Sequence, residues 1–265
     1  MIDDRVADDI RLRRIVYNTT DGRTIGAWLT TPVDGLVERG IVRLPGYGGI
    51  HPDQVAHPRI ERAAVLWACP RGIAELSLMG DIPAQPSRHV LHGIESRDQY
   101  VHGGDVEDVW CAVTALSVLE PAVAEAIHLW GASFGGGIGT IALAWDDRIR
   151  GAAFEVPSFG NHPARVRAGG SGSVAAVRAR WEADPAVLDV LAYFDAATCA
   201  RFVTVPTVVA PACEDPVVPV IGQWAVADSM GGPCRVVPLT RGHVEEDPRE
   251  RARLDAIIRE LFLRV

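Results

Sequence analysis

The most constraining stretch of this chain is Gly131-Ala132-Ser133-Phe134-Gly135. It stands between an apolar run, AIHLW at 126–130, and GGIGTIALA at 136–144, which reads as helix once past its glycines. Strand, G-x-S-x-G, helix is the frame in which this spacing predicts a nucleophile elbow. A sharp turn there holds the serine in a backbone geometry that only small neighbours tolerate. Gly131 and Gly135 supply the room, since a Cβ at either is expected to meet the adjoining strand or helix. Such a turn sets the serine Oγ clear at the carboxyl edge of a sheet and aims the next residue's N–H at any oxyanion formed there. A chain with 26 glycines produces the bare pattern by chance, so a glycine-rich or phosphate-type turn is the alternative. The flanking elements favour the elbow.

The rest of the chain supplies a sheet for that elbow. Residues 10–18 and 24–31 read as two strands joined by the hairpin turn TTDG at 19–22. Short continuous apolar runs at 40–44 and 63–68 suit parallel strands covered on both faces. Residues 73–103 form a long irregular stretch rich in His, Pro and Gly, of the kind that usually serves function or a partner. Helical spacing from 104 to 119 puts Val106, Val109, Trp110, Val113, Leu116 and Leu119 on one face, with Asp105 near its start. Further strands are expected at 150–156, 207–210 and 234–239, and an amphipathic helix at 248–262. From about 159 to 201 the composition shifts to Gly, Ser, Ala and Arg, with helix near 174–181, and this insert reads as a cap over the site. The expectation is one α/β domain over residues 1–265, a doubly wound, mostly parallel sheet with a small cap insertion.

Composition removes several function classes. A net charge of −8 argues against a nucleic-acid or anionic-membrane partner, both of which need a cationic face. All 26 basic residues are arginine, and without lysine there is no Schiff base, no pyridoxal phosphate anchor and no P-loop lysine. The acidic amino terminus lacks the features of a signal peptide, no apolar run is long enough for a membrane span, and the five cysteines are scattered. A cytoplasmic protein with free thiols is expected, mostly buried. Neither cofactor nor metal is expected.

A serine hydroxyl is a weak nucleophile at neutral pH, so a base must take its proton and a carboxylate must orient that base. In α/β-hydrolases these follow one another as Ser, then Asp or Glu, then His. His243, just beyond the strand at 234–239, is the histidine in the right place; His162 follows the serine too, but within the insert. Glu214 and Asp215 both qualify as the acid in ACEDPVVP at 212–219, and Asp215, braced by Pro216, is preferred. Two N–H donors must face the oxyanion. Phe134 offers the first through its backbone, and Tyr47, in PGYGG at 45–49 after the first core strand, offers the second.

These residues together resemble the acetyl xylan esterase and cephalosporin C deacetylase family. The likeness rests on GYGG at 46–49, PRG at 70–72, GASFGG at 131–136, Asp215, and GH at 242–243. It extends to HVLHG at 89–93 with Tyr100 and Asp105, DRIRG at 147–151, and LAYFD at 191–195, from about residue 10 onward. The resemblance implies the α/β-hydrolase fold and a serine esterase removing small acyl groups, often acetyl, from sugars or other small alcohols. By position it implies Ser133 as nucleophile, His243 as base, Asp215 as orienter, and the Tyr47 and Phe134 amides as oxyanion donors. This chain has Phe134 where the family usually has Gln, Ile73 after Arg71-Gly72, and Val244 after His243. The segment that precedes the first strands in the family is expected to be missing here, and since family members often form hexamers, its loss puts that assembly in doubt while a homo-oligomer stays open. Arg71 is expected to pair with a nearby carboxylate. Phe134, with Phe159 and Trp181 of the insert, is expected to line an apolar acyl or alcohol pocket.

Other readings use the same chain differently. His51 with His57, or His89 and His92 with His102, offer ligand sets for a metallohydrolase. An acyltransferase or a thioesterase needs the same triad and differs in how it excludes water. A hydrolase fold that has become a binding protein needs no triad at all.

Overall fold

The structure is a computed structural model that describes residues 4–7, 9–51, 55, 60–244 and 247–264. Its centre is a twisted sheet of nine strands among the described residues, built from β1 (Asp4–Ala7), β2 (Ile10–Asn18), β3 (Thr24–Pro32), β4 (Arg39–Leu44), β5 (Ala63–Ala68), β6 (Ile127–Ala132), β7 (Ile149–Glu155), β8 (Thr207–Ala210) and β10 (Cys234–Val236). Their spatial order is β1-β2-β3-β5-β4-β6-β7-β8-β10. The first three strands run antiparallel to their neighbours, and β5 through β10 are parallel. The hairpin at 19–22 pairs Asn18 with Thr24, as its turn residues predict. Val42, Leu66, Leu129 and Phe154 are fully buried, as strands covered on both faces require.

The helices α2 (Val101–Leu119) and α3 (Phe134–Leu143) cover one face of the sheet, and α9 (Pro248–Arg264) covers the other through Leu254, Ile257, Ile258 and Phe262. Between β7 and β8 lie α4 (His162–Ala168), α5 (Gly172–Ala183), α6 (Val187–Leu191) and α7 (Ala196–Ala200). The sequence predicted one helix in this insertion, but the structure has four among its described residues. Short helices of this kind have weak periodicity, so α4, α6 and α7 left little trace in the pattern. The insertion packs on α1 (Pro86–His89), on α3, and on α8 (Val220–Ser229).

Several expectations need correction. The helix expected from 104 begins at Val101, because Tyr100 already turns the chain into it. Asp105 therefore sits past the first turn, buried, and not at a solvated helix start. Residues 73–100 hold the short helix Pro86–His89 and are otherwise largely irregular, yet they are packed: His89, Val90, Ile94 and Tyr100 are buried. The strand expected across 234–239 breaks at Pro238, which cannot donate to a ladder. Its second half becomes β11 (Leu239–Arg241), paired in parallel with β9 (Ala212–Glu214) in a separate two-stranded sheet. All five cysteines are free; Cys69 and Cys199 are buried, whereas Cys213 is exposed.

Arg71 meets the partner expected of it. Its Nε and Nη2 donate to Asp108 at 2.9 and 2.6 Å, its own amide donates to the same carboxylate, and its Nη1 donates to Asp21 at 2.9 Å. The Arg71 and Asp108 side chains are 6% and 4% exposed. Burial pushes the Asp108 carboxyl up to about 6 against the pull of the guanidinium. This pair locks the loop after β5 to α2.

His128, on β6, stacks on Phe262 at 4.8 Å and is fully buried, with both ring nitrogens lacking a partner among the described residues. Burial lowers its pKa to about 4 from 6.5, so the folded chain holds it neutral where the unfolded chain protonates it. Stability due to this group is therefore complete above about pH 6.5 and is lost as pH falls toward 4, with a slope of about 1.4 kcal/mol per pH unit. Urea unfolding of His128→Leu should show that much less acid sensitivity across this window. An unchanged slope would contradict the assignment.

Candidate active site

The turn from β6 into α3 has the geometry its glycines predict. Ser133 sits at φ 53°, ψ −114°, a conformation a side-chain-bearing residue rarely adopts. A Cβ on Gly131 would stand 2.2 Å from the Gly135 carbonyl, and one on Gly135 would stand 2.4 Å from that of Leu44. Either substitution forces backbone apart. The serine is clamped on both sides: its N–H donates to the Glu155 carbonyl at 2.9 Å, and its own carbonyl accepts from Ser158 N–H at 3.0 Å. The Oγ thus stands at the carboxyl end of a central strand.

The two-stranded sheet of β9 and β11 delivers the other two groups. Arg241 pairs with Glu214, and the Gly242 amide donates to the Glu214 carbonyl at 2.8 Å, so Asp215 and His243 leave adjacent strands side by side. Asp215 Oδ2 accepts from His243 Nδ1 at 2.7 Å, and His243 Nε2 lies 2.8 Å from Ser133 Oγ. The ionised carboxylate can only accept, which puts the ring proton on Nδ1 and leaves Nε2 to accept the serine hydroxyl. The Asp215 side chain is fully buried and that of His243 is 19% exposed. Glu214, the other candidate acid, turns outward to Arg241, and its side chain is 73% exposed.

Asp215 is fixed by more than the imidazole. Its Oδ1 accepts from the Val217 and Val218 amides at 2.8 and 2.9 Å, and its Oδ2 accepts from Gln223 Nε2 at 2.7 Å. Burial pushes this carboxyl up, but the His243 hydrogen bond and the two amides outweigh it and hold the group below its usual range. Gln223 is fully buried and also bridges the Ala212 amide and the Val218 carbonyl. Sequence reasoning missed it, because a lone glutamine on a helix carries no pattern.

The loop at 45–49 runs beside the serine. A Cβ on Gly46 would stand 3.4 Å from Ser133 Cβ, and Gly135 N–H donates to the Pro45 carbonyl at 3.0 Å. Phe134 N–H, at the first position of α3, has no acceptor within the helix. The Tyr47 and Phe134 rings lie 4.5 Å apart, so the two residues named as amide donors are neighbours.

The apolar pocket wall is not as expected. Phe134 is fully buried and Phe159 is 1% exposed, the two rings meeting edge to face at 5.8 Å. They form packed structure behind the serine and present no open wall. Trp181 is half-buried against the main core. His162, the other candidate base, is buried with Nε2 3.1 Å from the Phe194 carbonyl, on business unrelated to the serine. His57 lies outside the described residues, and His51 is exposed. Of the second histidine set, His89 and His102 do come together, with Asp105 in the place expected for His92.

A parallel sheet between helices, with a serine on a strained strand-to-helix turn and Asp-His arriving from later strands, defines an α/β-hydrolase-like fold with a small insertion. Within that class, residues 3–237 match the family described as acetyl xylan esterase (AXE1), and the chain belongs to it. His243 stands just beyond the matched span.

The chain is similar in fold to an acetyl xylan esterase from Paenibacillus sp. R4, with a TM-score of 0.84 at 20% identity, covering 98% of this chain and 88% of that one. It is also similar to acetyl xylan esterase 1 from Thermoanaerobacterium sp. JW/SL YS485, with a TM-score of 0.81 at 14% identity, covering 98% and 87%. The acylaminoacyl peptidase of Pyrococcus horikoshii matches at a TM-score of 0.73 and 16% identity, over 97% of this chain and 42% of that one. No curated protein matches the sequence. Family and fold together support a hydrolase-fold esterase acting on small acyl esters. No helix among the described residues is long and apolar enough to cross a membrane.

Proposed function

We propose that this chain is a serine carboxylesterase that removes small acyl groups, acetyl first among them, from sugars or other small alcohols through an acyl-enzyme. Ser133 attacks the ester carbonyl while His243 Nε2 takes its proton, and Asp215 steadies the imidazolium that forms. The Tyr47 and Phe134 amides receive the oxyanion. His243 then returns the proton to the leaving alcohol, and water repeats the sequence to free the acid. One observation carries this reading: the unbroken chain of hydrogen bonds from Asp215 through His243 to Ser133, at 2.7 and 2.8 Å. Five unpaired cysteines agree with a cytoplasmic setting.

With p-nitrophenyl acetate the enzyme should release a burst of p-nitrophenolate approaching one equivalent, provided deacylation is the slower step. Across esters of graded length, kcat/KM should fall beyond about four acyl carbons, by about tenfold or more per two methylenes that the site has to exclude. Failure of a fluorophosphonate probe to label Ser133 would overturn the proposal.

A further inference from the structure

Against the Phe134 ring lie three side chains that the esterase reading leaves unused. His89 ends α1, and His102 and Asp105 stand three residues apart on α2, hence on one face of it. All three are 0–1% exposed, and one ligand atom from each lies within 4.8 Å of the others. The His89 and His102 rings stand 5.9 and 6.0 Å from Phe134, and His89 meets Tyr47 edge-on at 5.6 Å.

Their polar atoms are poorly satisfied. Among the described residues, both nitrogens of His102, both carboxylate oxygens of Asp105 and Nδ1 of His89 have no hydrogen-bond partner. The one exception is His89 Nε2, 3.1 Å from the Arg71 carbonyl. Asp105 Oδ1 is 3.9 Å from that nitrogen, too long for a hydrogen bond. Polar atoms this deeply buried are ordinarily paired, and an unpartnered carboxylate is among the costliest groups to bury. Arg71 does not relieve it, being taken by Asp108 and Asp21, and the buried Arg165 is turned toward His162.

We propose that His89, His102 and Asp105 form a buried metal site of the zinc class, with a water in the fourth position, that ties α1 to α2 against the Tyr47 and Phe134 rings. Two imidazoles and one carboxylate are a donor set that suits Zn²⁺. Ligands of a tetrahedral zinc ion stand about 3.3 Å apart, so modest side-chain rotations close this cluster around an ion. The bound ion turns mutually unsatisfied groups into ligands and ties α1 to α2. It takes no part in ester cleavage, since all three side chains are buried away from solvent.

The full-length chain, stripped with chelator and titrated with Zn²⁺ or Co²⁺, should bind about one ion per chain. Co²⁺ should give the visible bands of a four-coordinate site. Saturation at about a hundredfold above Kd should raise Tm by about 5–10 °C. Asp105→Asn and His102→Gln should each weaken binding at least about 100-fold, while His92→Gln leaves it intact. Should those two variants not fold, the cobalt spectrum and Tm shift of the unaltered chain still decide the matter. No bound ion and an unmoved Tm would overturn the site. So would binding that survives in Asp105→Asn and His102→Gln, which would mark an ion held elsewhere. Fluorophosphonate labelling of Ser133 is read in the same samples, so a failure here is distinguishable from a failure of the esterase reading.

Discussion

Ser133→Ala is expected to lower kcat by about 10⁵–10⁶ while leaving the fold intact. The loss is this large because the proposed mechanism has this hydroxyl bond to substrate, and among the described residues no other hydroxyl is held by the His243 imidazole. Oxyanion donors and binding alone still leave a rate about 10³–10⁴ above water. The interdependence of the three groups gives the sharper diagnostic. Once the serine is gone the base has nothing to deprotonate, so Ser133→Ala combined with His243→Ala should lose no more than about threefold beyond the single change. Asp215→Asn presents the wrong donor to Nδ1 and should cost about 10⁴ by itself. A Ser133→Ala enzyme with more than about one per cent of the original kcat would remove the serine from the mechanism.

Asp108→Ala should cost about 3–5 kcal/mol of stability, the range found when one member of a buried ion pair is removed. It leaves the Arg71 guanidinium buried beside α2 with its bidentate partner gone and only the more exposed Asp21 in contact. The guanidinium cannot swing away easily, because it packs so closely on Gly104 that a Cβ there would stand 2.1 Å from Nη1. Replacing both members with apolar groups, as in Arg71→Met with Asp108→Leu, should cost clearly less than Asp108→Ala alone, since no charge is left stranded. Arg71→Lys keeps the charge but loses the fork and should fall between them. Urea midpoints would check the order. Equal losses in the single and double variants would mean that packing, not charge, holds this junction.

The elbow, the sheet around it and the meeting of Ser133, Asp215 and His243 at one sheet edge were readable from the sequence, and the reasons are local. A G-x-S-x-G between strand and helix constrains its own backbone, and the order Ser, Asp, His follows from where later strands deliver their ends. What escaped was non-local. The break at Pro238 and the separate β9–β11 pairing depend on a partner strand more than 20 residues away, which no window of sequence displays. Gln223 holds Asp215 from a helix whose spacing reads as ordinary packing. Phe134 and Phe159 were placed on a pocket wall because aromatic residues near a nucleophile invite that role, whereas the structure spends them on the core behind it. His89, His102 and Asp105 were each visible as residue types, but only the meeting of α1 with α2 brings them together.

The small ribbon of β9 and β11 divides the active centre into two mechanical parts. The serine is seated in the main sheet, whereas the acid and base ride together on three-residue strands outside it, with Gly242 so near Asp215 that a methyl there would stand 2.3 Å from the carboxylate. The alignment of acid with base is therefore set by the β9–β11 pairing, and their reach to the serine by where that ribbon sits at the end of the main sheet.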